Sequence, residues 1–140
     1  MKEELQQFIH SHPRNKLVFT QKKITELIYI DLGIILSQLI TPRLEDKRIG
    51  LIASDMINKI ISENIAESPM WGKYIAVKNI GILFEPQLQL NIRSIFESIS
   101  KEMLLFIQFE GTIHNNKLYF LTEKNGISTD LSGMSFIEIN

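Results

Sequence analysis

The stretch from Lys73 to Leu121, KYIAVKNIGILFEPQLQLNIRSIFESISKEMLLFIQFEGTIHNNKLYFL, constrains the fold of this chain more than any other. An apolar run, Tyr74 to Val77, stops at the polar pair Lys78-Asn79. An amphipathic segment follows. Asn91 stands where a helix N-cap belongs, and Ile92, Ile95, Phe96 and Ile99 recur at helical spacing through Ser100. Met103 to Phe109 is a second apolar run. Tyr74 to Val77 is apolar at consecutive positions, as a parallel strand covered by helices on both sides requires. Strand, helix and strand in that order form a βαβ unit of an α/β domain. Thr112 to His114 and Lys117 to Leu121 flank Asn115-Asn116, a two-residue hairpin turn.

The rest of the chain extends this plan. Leu5, Phe8 and Ile9 give the segment Lys2 to His10 one apolar face, and Pro13 closes that helix. Leu17 to Phe19 and Glu26 to Ile30 are strands joined by the polar turn Gln21-Lys22-Lys23. Asp31 caps a helix from Leu32 to Ile40, whose Leu and Ile residues surround nearly the whole circumference and predict deep burial. Thr41-Pro42 opens a further helix through about Ser62, with Ile49, Ile52, Met56, Ile57, Ile60 and Ile61 on its core face. Ile65 to Gly72 is a connection. Asn125-Gly126 marks a turn, and Ser135 to Ile139 a final edge strand. The expected fold is a single α/β domain over residues 1–140, a small sheet with a parallel βαβ core flanked by helices and a C-terminal hairpin. At 140 residues such a domain buries about 68–70% of its unfolded surface.

Composition removes several kinds of chemistry. The chain has no cysteine, so disulfides, thiolate nucleophiles and Cys-ligated metals are excluded. A formal net charge of −1 gives no global attraction to nucleic acid. The acidic, amphipathic N-terminus is unlike a signal peptide, and no apolar run reaches a membrane span. The expectation is a soluble, cytoplasmic protein without membrane contact. Neither GxxxxGK[ST] nor GxGxxG occurs, and the interval from Phe19 to Glu26 is too short for a phosphate loop and a helix.

The remaining candidates are local. His10 and His12 form an HxH pair, but i and i+2 diverge on a helix. His114, Asp130 and Ser132 are the residue types of a catalytic triad at arbitrary spacing. Glu85, at the end of a strand, sits where α/β enzymes place functional groups, and Lys78 precedes it on the same stretch. Arg14, Lys16, Lys22 and Lys23 cluster around the first strand and offer a nucleic-acid contact. Arg43, Lys47 and Arg48 form a second basic group, interleaved with Glu45 and Asp46. Met70 and Trp71, beside Pro69, offer a partner-binding anchor, because tryptophan dominates interface hot spots. No residues are assigned to catalysis, metal or cofactor.

Ile30-Asp31-Leu32 with Leu36-Ser37, the segment Asn79-Ile80-Gly81-Ile82-Leu83-Phe84-Glu85-Pro86, and Phe109-Glu110-Gly111 together resemble the BrxF family, the small P-loop-like proteins of BREX-type phage-defence systems. The resemblance covers somewhat under half of the chain. It implies a P-loop-like scaffold, and two departures imply that the scaffold is degenerate. The family's phosphate loop and following helix have no counterpart between Phe19 and Glu26. Lys78 stands where the Walker B carboxylate would end its strand. The resemblance therefore implies a non-enzymatic assembly or interaction subunit of a prokaryotic defence system, with other protein subunits as partners and nucleic acid reached through the complex. The alternatives are a small nucleic-acid-binding or regulatory protein, and an enzyme with a site near Lys78 and Glu85.

Overall fold

The computed structural model describes residues 2–120 and 127–139. Helix α1 (Lys2–His10) is followed by strands β1 (Leu17–Thr20) and β2 (Tyr29–Asp31). Helices α2 (Leu32–Ile40) and α3 (Ile49–Glu63) lead to β3 (Ala66–Ser68) and β4 (Gly72–Lys78). Helix α4 (Ile92–Glu102), β5 (Leu104–Gln108), the hairpin β6 (Gly111–His114) and β7 (Lys117–Phe120), β8 (Ser128–Asp130) and β9 (Phe136–Ile139) complete it. The main sheet runs β2-β4-β5-β1-β9, and every neighbouring pair along it is parallel. Strand β3 lies antiparallel on the start of β4. Strands β6, β7 and β8 form a separate antiparallel sheet.

Alternation along each strand divides the core in two. Leu17, Phe19, Ile75, Val77, Leu105 and Ile107 face α2, α3 and α4 in the larger cluster. Val18, Tyr74, Ala76, Leu104 and Phe106 face the other way, covered by Leu5 of α1 and by Ile24, Leu27 and Trp71. Handedness accounts for the division. The connections β2 to β4, β4 to β5 and β5 to β9 all advance in one direction across the sheet, so right-handed crossovers place them on one face. The connection from β1 returns to the far edge at β2 and belongs on the opposite face. It consists of residues 21–28 and contains no helix.

The central βαβ unit, the Asn115-Asn116 turn and the edge position of β9 match the sequence expectations. Asn115 and Asn116 have φ of 51° and 61°, the positive pair that a type I′ turn requires. Other elements differ. The second strand is Tyr29–Asp31 rather than 26–30, because only those residues find partners on β4. Ile28 instead donates its N–H to the Tyr74 hydroxyl at 3.0 Å. Thr41–Arg43 is an isolated 3-10 turn, and α3 starts at Ile49. Asp46 makes that break by accepting the Arg48 N–H at 2.9 Å and the Arg43 guanidinium at 3.2 Å. The connection 65–72 contains β3, and β5 is the central strand of the main sheet. Helix α2 buries Leu32, Gly33, Leu36 and Ile40 but leaves Ile34 51% exposed. It packs on α3 and on the turn after β4, so its outer side faces solvent. The turn expected at Asn125-Gly126 and the strand end at Leu121 lie outside the described residues.

Candidate functional site

In an open α/β sheet, ligands bind beyond the carboxyl ends of the strands where neighbouring connections leave toward opposite faces. Here the neighbours are β1 and β5. The chain leaves β1 toward the α1 face and leaves β5 toward the other. Beside this point lies a crevice of about 360 Å³, lined by Asp31, Lys78 to Gly81, Gln108 to Glu110 and Phe120.

Its polar wall is built at the ends of β2 and β4. Strand pairing sets Asp31 directly opposite Lys78. Asp31 caps α2 by accepting the Ile34 N–H at 2.9 Å, and it also accepts the Asn79 side-chain amide at 2.9 Å. The Ile34 N–H is the main cause that holds the Asp31 carboxyl below its usual range. The Asn79 amide, Lys78 and Lys23 reinforce it, against a smaller opposing effect of burial. Asn79 has φ 58° and ψ 56°, a left-handed conformation that asparagine tolerates. It packs tightly on Gly33, where a Cβ would lie 2.5 Å from the Asn79 carbonyl oxygen. Lys23 arrives from the β1–β2 connection. Lys78, close to it there, lowers the Lys23 pKa by hydrogen bonding and by its charge, with Asp31 opposing.

The apolar wall belongs to the second sheet. Phe120 stacks on Phe84 with ring centroids 5.3 Å apart. Gly81 permits this, since a Cβ there would meet the Phe120 ring at 2.8 Å. Phe109, behind it, is an edge-on neighbour of Phe19 at 5.5 Å.

Asp31→Ala is expected to lower stability by about 0.5–2 kcal/mol, the range for losing a capping side chain. The folded carboxyl titrates below its unfolded value. Its contribution is therefore present above the ordinary carboxylate range and disappears as pH falls through the lowered folded value. Urea titrations of both proteins should show a gap at neutral pH that closes in acid. A gap independent of pH would mean that the carboxylate charge is not its source.

The other sequence candidates separate in space. Arg14 and Lys16 precede β1, whereas Lys22 and Lys23 follow it. A strand of this length, about 13 Å, divides the cluster between opposite ends of the sheet. Arg14 also pairs with Glu97 at 3.7 Å. Lys78 lines the crevice, but Glu85 is not among its lining residues. Glu85 does not end a strand as expected but is exposed between two 3-10 turns, because Ile80–Phe84 finds no strand partner. The Ser132 hydroxyl donates to Asp130 at 2.6 Å, while His114 lies two strands from Asp130 across Lys117. A triad requires serine to meet histidine, so this arrangement is not one. His10 ends α1, and His12 lies beyond it in a left-handed turn. Among the described residues no group of three His, Asp or Glu side chains is placed to hold a metal ion, and no helix is long and apolar enough to cross a membrane.

Met70 and Trp71 line a second, mostly apolar groove of about 310 Å³ with Glu26, Ile28, Glu67, Ser68, Pro69 and Tyr74. Trp71 is half-buried against Phe106, centroids 6.0 Å apart. Met70 is 53% exposed and Ile28 is 73% exposed. Nothing in the sequence joined Ile28 to Met70. β2 and β3 share one edge of β4, which brings the residues flanking each strand to the same side. The joining of Lys23 to Lys78 was likewise hidden, because it depends on strand order.

The chain matches no family model, no curated protein and no solved structure.

Proposed function

We propose that this chain is a non-enzymatic interaction subunit of a prokaryotic, cytoplasmic multi-protein assembly, and that it docks a partner protein in the groove beside the β3–β4 turn. The observation that carries this reading is the exposure of Ile28 and Met70 over the half-buried Trp71, on the outer side of the short edge strands β2 and β3. Large exposed apolar side chains grouped in a groove mark an interaction surface. The exposed Glu67 carboxylate in its lining selects a partner segment with an apolar anchor beside lysine or arginine. The resemblance to the BrxF family supplies the setting, an anti-phage defence complex built with a degenerate P-loop-like scaffold. Two features support the loss of nucleotide chemistry. The segment after β1 has no helix, and Lys78 ends β4 where that family would hold magnesium through a carboxylate.

Tagged protein should retain a protein partner from its native host at high salt and after nuclease treatment, since an apolar contact is weakly screened. Met70→Asp and Ile28→Asp should abolish retention without changing the melting transition, because both side chains are exposed. Trp71→Ala should weaken retention and also destabilise the fold through its contact with Phe106. Magnesium–ATP should be neither hydrolysed nor bound tightly. Recovery of nucleic acid alone, lost at high salt, would replace this reading. A partner indifferent to Met70→Asp and Ile28→Asp would remove the groove as its site.

A further inference from the structure

Partner docking in the groove leaves the crevice at the sheet's carboxyl end without a role. The crevice lies beside the switch point between β1 and β5, where open α/β sheets hold their ligands. Its volume of about 360 Å³ falls at the small end of the range for ligand pockets. Its lining carries both signs of charge. Asp31 and Lys78 stand side by side on one face of the sheet, because the pairing of β2 with β4 sets them opposite one another. Glu110 joins them from beyond β5 and is exposed. Among the described residues no ion pair joins Lys78 to either carboxylate. The hydrogen bonds from Ile34 and Asn79 both end on Asp31 Oδ1, which leaves Oδ2 as an acceptor. Gln108 donates its amide nitrogen to the Gln21 carbonyl at 3.1 Å and keeps its amide oxygen. The other wall is apolar, with the Phe120 ring held by its stack on Phe84.

A ligand of one sign does not suit this lining. An anion meets two carboxylates for one ammonium, and a cation meets Lys78. We infer that the crevice binds a free α-amino acid with an aromatic side chain, its ammonium toward Asp31 and Glu110, its carboxylate on Lys78 and its ring against Phe120. An ammonium group has three donors, and the Asp31 carboxylate, the Glu110 carboxylate and the Gln108 amide oxygen are three acceptors in the lining. Lys78 gives the ligand carboxylate a charge-assisted hydrogen bond. The two charged groups of an α-amino acid sit on one carbon. Lining charges on neighbouring strands, about 4.8 Å apart, meet both at once. The Phe120 ring is a preformed face for the ligand's ring. This site stands apart from the proposed docking groove, and neither depends on the other.

Amide NMR titrations with L-phenylalanine test it. Wild-type protein should show saturable shifts centred on residues 78–81 and 108–110. Phenylpropanoate lacks the ammonium and phenethylamine lacks the carboxylate. Each should bind about tenfold or more weakly than L-phenylalanine, as the loss of one charge-assisted hydrogen bond implies. L-Alanine, which lacks the ring, should also bind more weakly. Glu110→Gln should weaken L-phenylalanine by about tenfold and leave phenylpropanoate no weaker. Lys78→Met should weaken L-phenylalanine by a similar factor and leave phenethylamine no weaker. Lys59→Met on α3 should bind like wild type. The series of analogues reads the charge preference on the unaltered protein, so the test does not depend on how a variant folds. Phenylpropanoate or phenethylamine binding as tightly as L-phenylalanine, shifts centred outside the crevice, or an absence of saturation would overturn the inference. Binding indifferent to both Glu110→Gln and Lys78→Met would do the same.

Discussion

Ile57→Asp should leave this chain without a cooperative unfolding transition. Ile57 is completely buried on the inner face of α3, in the larger core cluster with Leu36, Ile75 and Leu83. An aspartate there would place a charge among aliphatic side chains with no cationic partner. The penalty is several kcal/mol for the unpaired charge, added to the lost packing of isoleucine. A domain of this size has only about 5–15 kcal/mol in total. Helix α3 also supports α2 and the 3-10 turn at Pro86–Leu88, so its displacement would disturb both the β2–β4 and the β4–β5 crossovers. Circular dichroism melting of the purified variant tests this. A sharp transition near the wild-type midpoint would show that this face of α3 is not core.

Phe19→Ala is expected to cost about 3–5 kcal/mol, the range for truncating a buried phenylalanine to alanine. Phe19 meets Phe96 of α4, Phe109 beyond β5 and Phe136 of β9 in edge-to-face contacts with centroids 6.2, 5.5 and 5.9 Å apart. The edge strand β9 pairs with no strand but β1 among the described residues. Removing the ring therefore loosens β9 as well as leaving a cavity. Urea unfolding should show a midpoint well below wild type. The slope should be unchanged if the native state keeps its compactness. Amide exchange should rise most at β9, relative to the global change. A loss of less than about 1 kcal/mol would mean that the neighbouring rings close over the gap.

The two variants probe opposite ends of what was legible beforehand. Ile57 announces itself through helical periodicity alone. Phe19 shows only as one residue of a short apolar run, and its three aromatic partners lie far away in sequence.

Local physics determined much of this protein from the sequence alone. Asp31 and Asn91 cap helices because their side chains accept the free N–H groups of the next turn. Asn115-Asn116 turns a hairpin because asparagine tolerates positive φ. The apolar runs at 74–77 and 103–109 belong to strands because burial on both faces removes the polar half of the alternation. These are effects within a few residues, and the sequence carries them directly. The order of the strands, the face taken by each connection, and the meeting of Lys23 with Lys78 and of Ile28 with Met70 were decided only in three dimensions. They depend on which strand edges pair across tens of residues and on the right-handedness of the crossovers. The same cause dispersed Arg14 and Lys16 from Lys22 and Lys23. Nearness in sequence places charges together only when no strand runs between them.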